Sequence, residues 1–188
     1  MKATFLALIA TLLLAQWPAD TLSAQPNLQT SIQYEVPYGV VYPVWASSNM
    51  IQGQLAVNDT TGVIEKLDFD VPLNSFIGQN AGYLEWLGYS ITFPDLKFHS
   101  NRIKDLGDGK YEAAGSLEFR GHFTPLTIKY KREDTKDWMT FYADFSFNPR
   151  DFFITPPPFD LVPNRIPMKV NLVFSKADIK ESTASNSK

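Results

Sequence analysis

Asp68 and Asp70 stand two residues apart on a stretch that alternates apolar and polar side chains. That spacing puts both carboxylates on one strand face, the arrangement an acid–base pair would use. Lys66 shares the face and nothing beside it would strip water from either acid, so the pair reads as a solvated outer surface. His99 and His122 are the two histidines of the chain. His99 has the opposite parity to Phe98 and should point outward, and no spacing brings a third and fourth ligand to either ring, so no metal site is expected. Ser47, Ser48 and Ser100 have no G-x-S-x-G context for a nucleophile. With no cysteine, the chain has no disulfide, thiolate metal site, Cys nucleophile or lipid-modified cysteine anchor. No catalytic residue is read from the sequence, and no enzyme is expected.

What the chain has in excess is aromatic, with 14 Phe, 8 Tyr and 4 Trp against only 10 Gly. These recur at period two. Leu67 and Phe69, Leu96 and Phe98, Tyr111, Ala113, Leu117 and Phe119, Ile128 and Tyr130, and Phe141 and Phe145 all fall on the apolar parity of successive stretches. Polar partners such as Lys97, Glu112, Glu118 and Lys129 take the other parity. The twelve apolar positions are the candidate ligand-binding residues, as the lining of a tunnel for one elongated apolar molecule. The same residues would equally fill a solid core, giving a structural or interaction module with no ligand.

Such residues need strands to position them. After Asn58-Asp59-Thr60-Thr61-Gly62, a turn cluster, Val63, Leu67, Phe69, Val71 and Leu73 are expected on one face. Gly107-Asp108-Gly109 marks a second turn and Arg132 to Asp137 a third. Residues 74–90 break the alternation, and Tyr83, Leu84, Trp86 and Leu87 would form one face of a short helix within a long connection. Gly115 and Gly121, inside strand patterns, read as bulges or bends. With a first strand near Leu28 to Val36 and a last at Met168 to Phe174, the expectation is an all-β, eight-stranded antiparallel lipocalin-like β-barrel with one short helix or long connection. A meander rolled closed hides its edges and leaves room inside for side chains or one ligand.

Residues 1–24 carry Lys2, an apolar run from Phe5 to Ala15, Pro18 and small residues at Ser23 and Ala24, the pattern of a secretory signal peptide. The run is too short for a comfortable membrane helix, so no stable membrane span is expected, and export to a periplasm or exterior is. Residues 25–175 then form the barrel domain and 176–188 a polar, frayed tail. The net charge of -3 argues against a nucleic-acid partner. Oligomeric state stays open, with a homodimer among the alternatives.

Three segments carry a family likeness. Pro94-Asp95-Leu96-Lys97-Phe98-His99-Ser100 resembles the P-x-I-x-F-x-S segment of the YceI-like polyisoprenoid-binding family. Gly115-Ser116-Leu117-Glu118-Phe119-Arg120-Gly121-His122-Phe123-Thr124-Pro125-Leu126-Thr127-Ile128 is similar to its G-x-L-T-x-x-G-x-x-x-P-V-x-L hairpin. Asn148-Pro149-Arg150-Asp151-Phe152 resembles its N-R-x-D-F segment, in the family order. Phe153 stands where the family usually has glycine, Glu118 replaces a threonine, and no histidine precedes Gly53 as in the family's N-terminal signature. The resemblance implies an extended lipocalin-like barrel holding a polyisoprenoid or similar long-chain lipid, with no other cofactor. Its head group would meet polar side chains at the mouth, near the 74–90 connection or the Pro-rich 148–167 loop.

Overall fold

The structure, a computed structural model, describes residues 29–36, 44–58, 60–154 and 163–179. The expected signal segment 1–24, the Pro156–Pro158 run and the chain beyond 179 lie outside the described residues. Ten strands and one short helix follow in order. They are β1 (Ser31–Val36), β2 (Val44–Ser48), β3 (Gln52–Val57), β4 (Ile64–Pro72), β5 (Ile77–Gln79), α1 (Gly82–Gly88), β6 (Asp95–Gly107), β7 (Lys110–Phe119), β8 (His122–Asp134), β9 (Trp138–Phe147) and β10 (Ile166–Ser175). All join one antiparallel sheet in the order β3-β4-β6-β7-β8-β9-β10-β1-β2-β5.

The all-β class holds, with ten strands among the described residues where eight are expected. The extra pair comes from β2, whose five residues are too short to show a period, and from the three-residue β5. The path is also not one continuous meander. Strands β6 to β10 are consecutive, but β1 inserts between β10 and β2.

Among the described residues no hydrogen-bonded ladder closes the barrel; short connections bring its ends together. Strands β3 and β5 end the ladder, yet three residues (49–51) join β2 to β3 and four (73–76) join β4 to β5. Four linking residues reach no more than ~18 Å, so the two ends of the sheet must meet. Ser48 and Ser75 hydroxyls hydrogen-bond at 2.6 Å, tying the two connections together.

Hairpin turns follow from backbone geometry. Gly107, Asp108 and Gly109 all have positive φ, as do Arg120 and Gly121, the pair that turns β7 into β8. Gly121 is therefore a turn residue rather than a bulge, with Phe93 packed where its Cβ would lie. Gly115 is a close approach: a Cβ there would collide with the His99 carbonyl oxygen, across from an irregularity between Ser100 and Arg102.

Helix α1 buries Leu84 and Leu87 and packs half-buried Tyr83 on the core, but leaves Trp86 at 56% exposure, so three of the four expected face residues hold. Of the expected face Val63, Leu67, Phe69, Val71 and Leu73, all but Val63 are buried. A register shift near Glu65 leaves Val63 exposed and turns Ile64 inward. Residues 176–179 are not frayed: they make a helical turn, with Lys176 bound to Asp134 at 3.2 Å and to the Thr135 carbonyl at 2.7 Å.

Candidate ligand-binding site

The wall of the barrel is split. Strands β8 and β9 pair from Tyr130↔Ala143 to Asp134↔Met139, and the ladder stops there, although β8 begins at His122 and β9 runs on to Phe147. The free stretches of the two strands border a cleft of about 290 Å3. Its floor is apolar, formed by Leu117, Leu126, Phe147 and Phe152, and its rim is polar, formed by Ser146, Asn148, Asp151, Asn164 and Arg165. Pro125, which cannot donate to a ladder, sits on the free stretch of β8 as an edge position allows.

The rim is held in place by its own hydrogen bonds. The Asn148 side-chain Oδ1 accepts from the Arg150 N–H at 3.1 Å, capping the turn Pro149–Phe152, and its Nδ2 donates to Asp151 Oδ1 at 3.3 Å. Arg165 Nε donates to Ser146 Oγ at 2.5 Å. The turn drives Phe152 inward against Phe119 and Phe147, with ring centroids 5.6 and 5.7 Å away. Phe153 follows with a φ of 57° and is 78% exposed, its ring tilted against His122 with centroids 4.9 Å apart.

All twelve candidate residues lie on the inner face, as the cross-strand pairs Phe69↔Phe98, Phe98↔Leu117, Ala113↔Ile128 and Tyr111↔Tyr130 require. Ten are buried: Leu67, Phe69, Leu96, Phe98, Ala113, Leu117, Phe119, Ile128, Tyr130 and Phe141. Tyr111 and Phe145 are half-buried. Rings meet across the interior, Phe69 with Phe98 at 5.7 Å, Phe69 with Phe145 at 6.1 Å and Phe141 with Tyr111 at 6.0 Å. A Cβ on Gly53 would fall 2.8 Å from the Phe174 ring, so β3 presses against β10 and the barrel is flattened. The interior is thus lined as expected and filled by its own side chains.

Two tyrosines carry hydroxyls into this interior. Tyr34 donates to the Ala81 carbonyl at 2.9 Å, and burial pushes its phenol up to about 12, partly offset by the Leu84 N–H. Tyr130 Oη is buried without a protein hydrogen-bond partner among the described residues. Burial, and to a lesser degree the Asp68 charge, holds its phenol far above the ordinary range.

Asp68 corrects the sequence reading. It has outer parity, as expected, but is only 3% exposed, because β4 and β6 separate below Phe69↔Phe98 and its carboxylate fills the gap. Lys66 lies 3.1 Å away and His99 Nδ1 3.5 Å, with Glu118 3.8 Å from His99 Nε2. Asp70 remains partly exposed.

A broader groove of about 690 Å3 crosses β8, β9, β10 and β1, with Tyr142 among Lys129, Lys131 and Lys169, and with Tyr111 and Tyr130 also on its lining. Thr124, Leu126, Ser146 and Phe147 are not among the twelve candidates, since alternation cannot show where two strands part, whereas the rim residues Asn148, Asp151, Asn164 and Arg165 fall within the 148–167 segment expected near the mouth.

A family model described as a YceI-like domain matches residues 25–174. The chain belongs to the YceI-like domain family. The structure of Burkholderia cenocepacia BcnA superposes on this YceI-like domain with a TM-score of 0.64 at 16% identity, covering 77% of this chain and 95% of that one. A Campylobacter jejuni YCEI protein superposes with a TM-score of 0.58 at 13% identity, covering 67% of this chain and 81% of that one. The shared fold is a curled antiparallel sheet of lipocalin-like type. No curated protein matches the chain. Among the described residues no helix is long and apolar enough to cross a membrane.

Proposed function

We propose that this YceI-like domain is an exported, non-enzymatic carrier that takes up a polyisoprenoid or similar long amphiphilic lipid against its inner apolar face. The β8–β9 cleft carries the reading: an opening in the wall with an apolar floor continuous with the inner face, and a polar rim able to stay in water. A chain entering there pushes apart rings that now pack on one another. Each methylene it buries contributes about 0.8 kcal/mol, against the cost of ordering the chain and displacing those contacts. Family membership supports the same reading, because the resemblance implies a polyisoprenoid ligand. The signal-like residues 1–24 support export.

A second reading, a solid barrel acting as an interaction module, is favoured by the close ring packing of the interior. One experiment separates them. The purified protein is extracted with organic solvent for mass spectrometry, and its thermal unfolding is followed with and without isoprenoid quinones. The carrier yields a prenyl lipid or a raised midpoint; a solid barrel yields neither.

A further inference from the structure

Tyr130 sits at the first rung where β8 and β9 pair, two inner-face positions past Leu126, the last β8 residue on the cleft's lining, so a ligand reaches it only by parting the packed interior at Ile128. From the mouth, the inner face of β8 runs Thr124, Leu126, Ile128, Tyr130, a path of about 20 Å at strand rise. The rest of that path is apolar beyond Thr124. At its end stands a phenol 2% exposed, its ring set edge-on to Phe141 at 6.3 Å and its Oη without a hydrogen-bond partner among the described residues. Buried polar atoms are nearly always partnered, and phenylalanine would fill the same space with no unpaired donor. The group stays protonated, since burial and the Asp68 charge both oppose ionisation, so it remains a donor aimed at an acceptor.

We propose that the Tyr130 hydroxyl donates a hydrogen bond to an oxygen at the inner end of the ligand, so that an oxygen-headed amphiphile such as an isoprenoid quinone enters head first, its tail toward the rim. This rests on the carrier reading and reverses the orientation the sequence suggests, with the head group at the mouth. It also selects a ligand class, carbonyl- or hydroxyl-bearing over pure hydrocarbon.

The test compares a short-chain ubiquinone with squalene on the full chain and on Tyr130→Phe, by fluorescence quenching of the intrinsic aromatics. A thermal midpoint equal to or above that of the parent shows that the variant folds. The proposal expects quinone affinity to fall about tenfold with squalene affinity unchanged, the worth of one buried hydrogen bond. An unchanged quinone-to-squalene ratio in Tyr130→Phe overturns it while leaving the carrier reading intact. A parent that binds neither probe overturns the carrier reading first, and this inference with it.

Discussion

The Asp68 carboxylate accepts two hydrogen bonds from Ser100, one from its backbone N–H at 2.8 Å and one from its hydroxyl at 2.6 Å, both on the same oxygen. Ser100 Oγ in turn accepts from the Leu67 N–H at 3.0 Å. Side chains thus continue the β4–β6 ladder where the two backbones part. Removing the acid leaves the Ser100 N–H buried without an acceptor, so Asp68→Ala should cost about 2–3 kcal/mol in urea unfolding. Asp70→Ala, on the same parity but partly exposed, should stay within about 0.5 kcal/mol of the parent. Equal losses at the two positions would contradict the assignment.

Gly115 makes the same region intolerant of bulk. A methyl group there meets backbone, the His99 carbonyl, rather than a side chain that can turn aside. Gly115→Ala should therefore destabilise by about 3 kcal/mol, read as a lower denaturation midpoint with an unchanged slope.

Phe153 occupies a left-handed conformation at a position the family usually fills with glycine. Phe153→Ala keeps that strain and loses the His122 ring contact, whereas Phe153→Gly loses the contact and sheds the strain. The glycine variant should be the more stable of the two by about 1 kcal/mol. A glycine variant equal to or weaker than alanine would show that the backbone is unstrained there.

Alkaline pH should loosen the fold through Tyr34. Its phenol is raised from 10.0 to about 12 when folded, so the native state keeps a proton that the unfolded chain has released. The stabilisation is complete below about pH 10 and is lost as pH climbs to about 12. The thermal midpoint should fall across that window, and less steeply in Tyr34→Phe. Parallel slopes would assign the fall to other groups.

The β8–β9 split should be visible in hydrogen exchange. Amides of residues 123–129 and 144–147 that point across the cleft have no ladder partner there, so they should exchange well before those of the continuous β6–β7 hairpin. Uniform protection along β8 would close the cleft.

Period-two alternation was enough to place all twelve inner-face residues, because the parity of a strand follows directly from its side-chain order. It failed where the backbone departs from a regular ladder. The shift at Glu65 turned Val63 outward, the β4–β6 separation buried Asp68, and the end of the β8–β9 ladder made the cleft. Each depends on how two distant strands diverge, a property of neither strand alone. The β1–β10 pairing, more than a hundred residues apart in the chain, was hidden for the same reason. The segment Asn148 to Phe152 was visible as a motif, but its task, turning Phe152 into the interior beneath the rim, needed coordinates.

The seam between β3 and β5 is spanned by two short covalent links and a serine pair, with no ladder across it. Widening the molecule at this seam would break the serine pair and contacts such as Gly53 against Phe174 but no rung of the sheet, so the seam is where the wall is least costly to part.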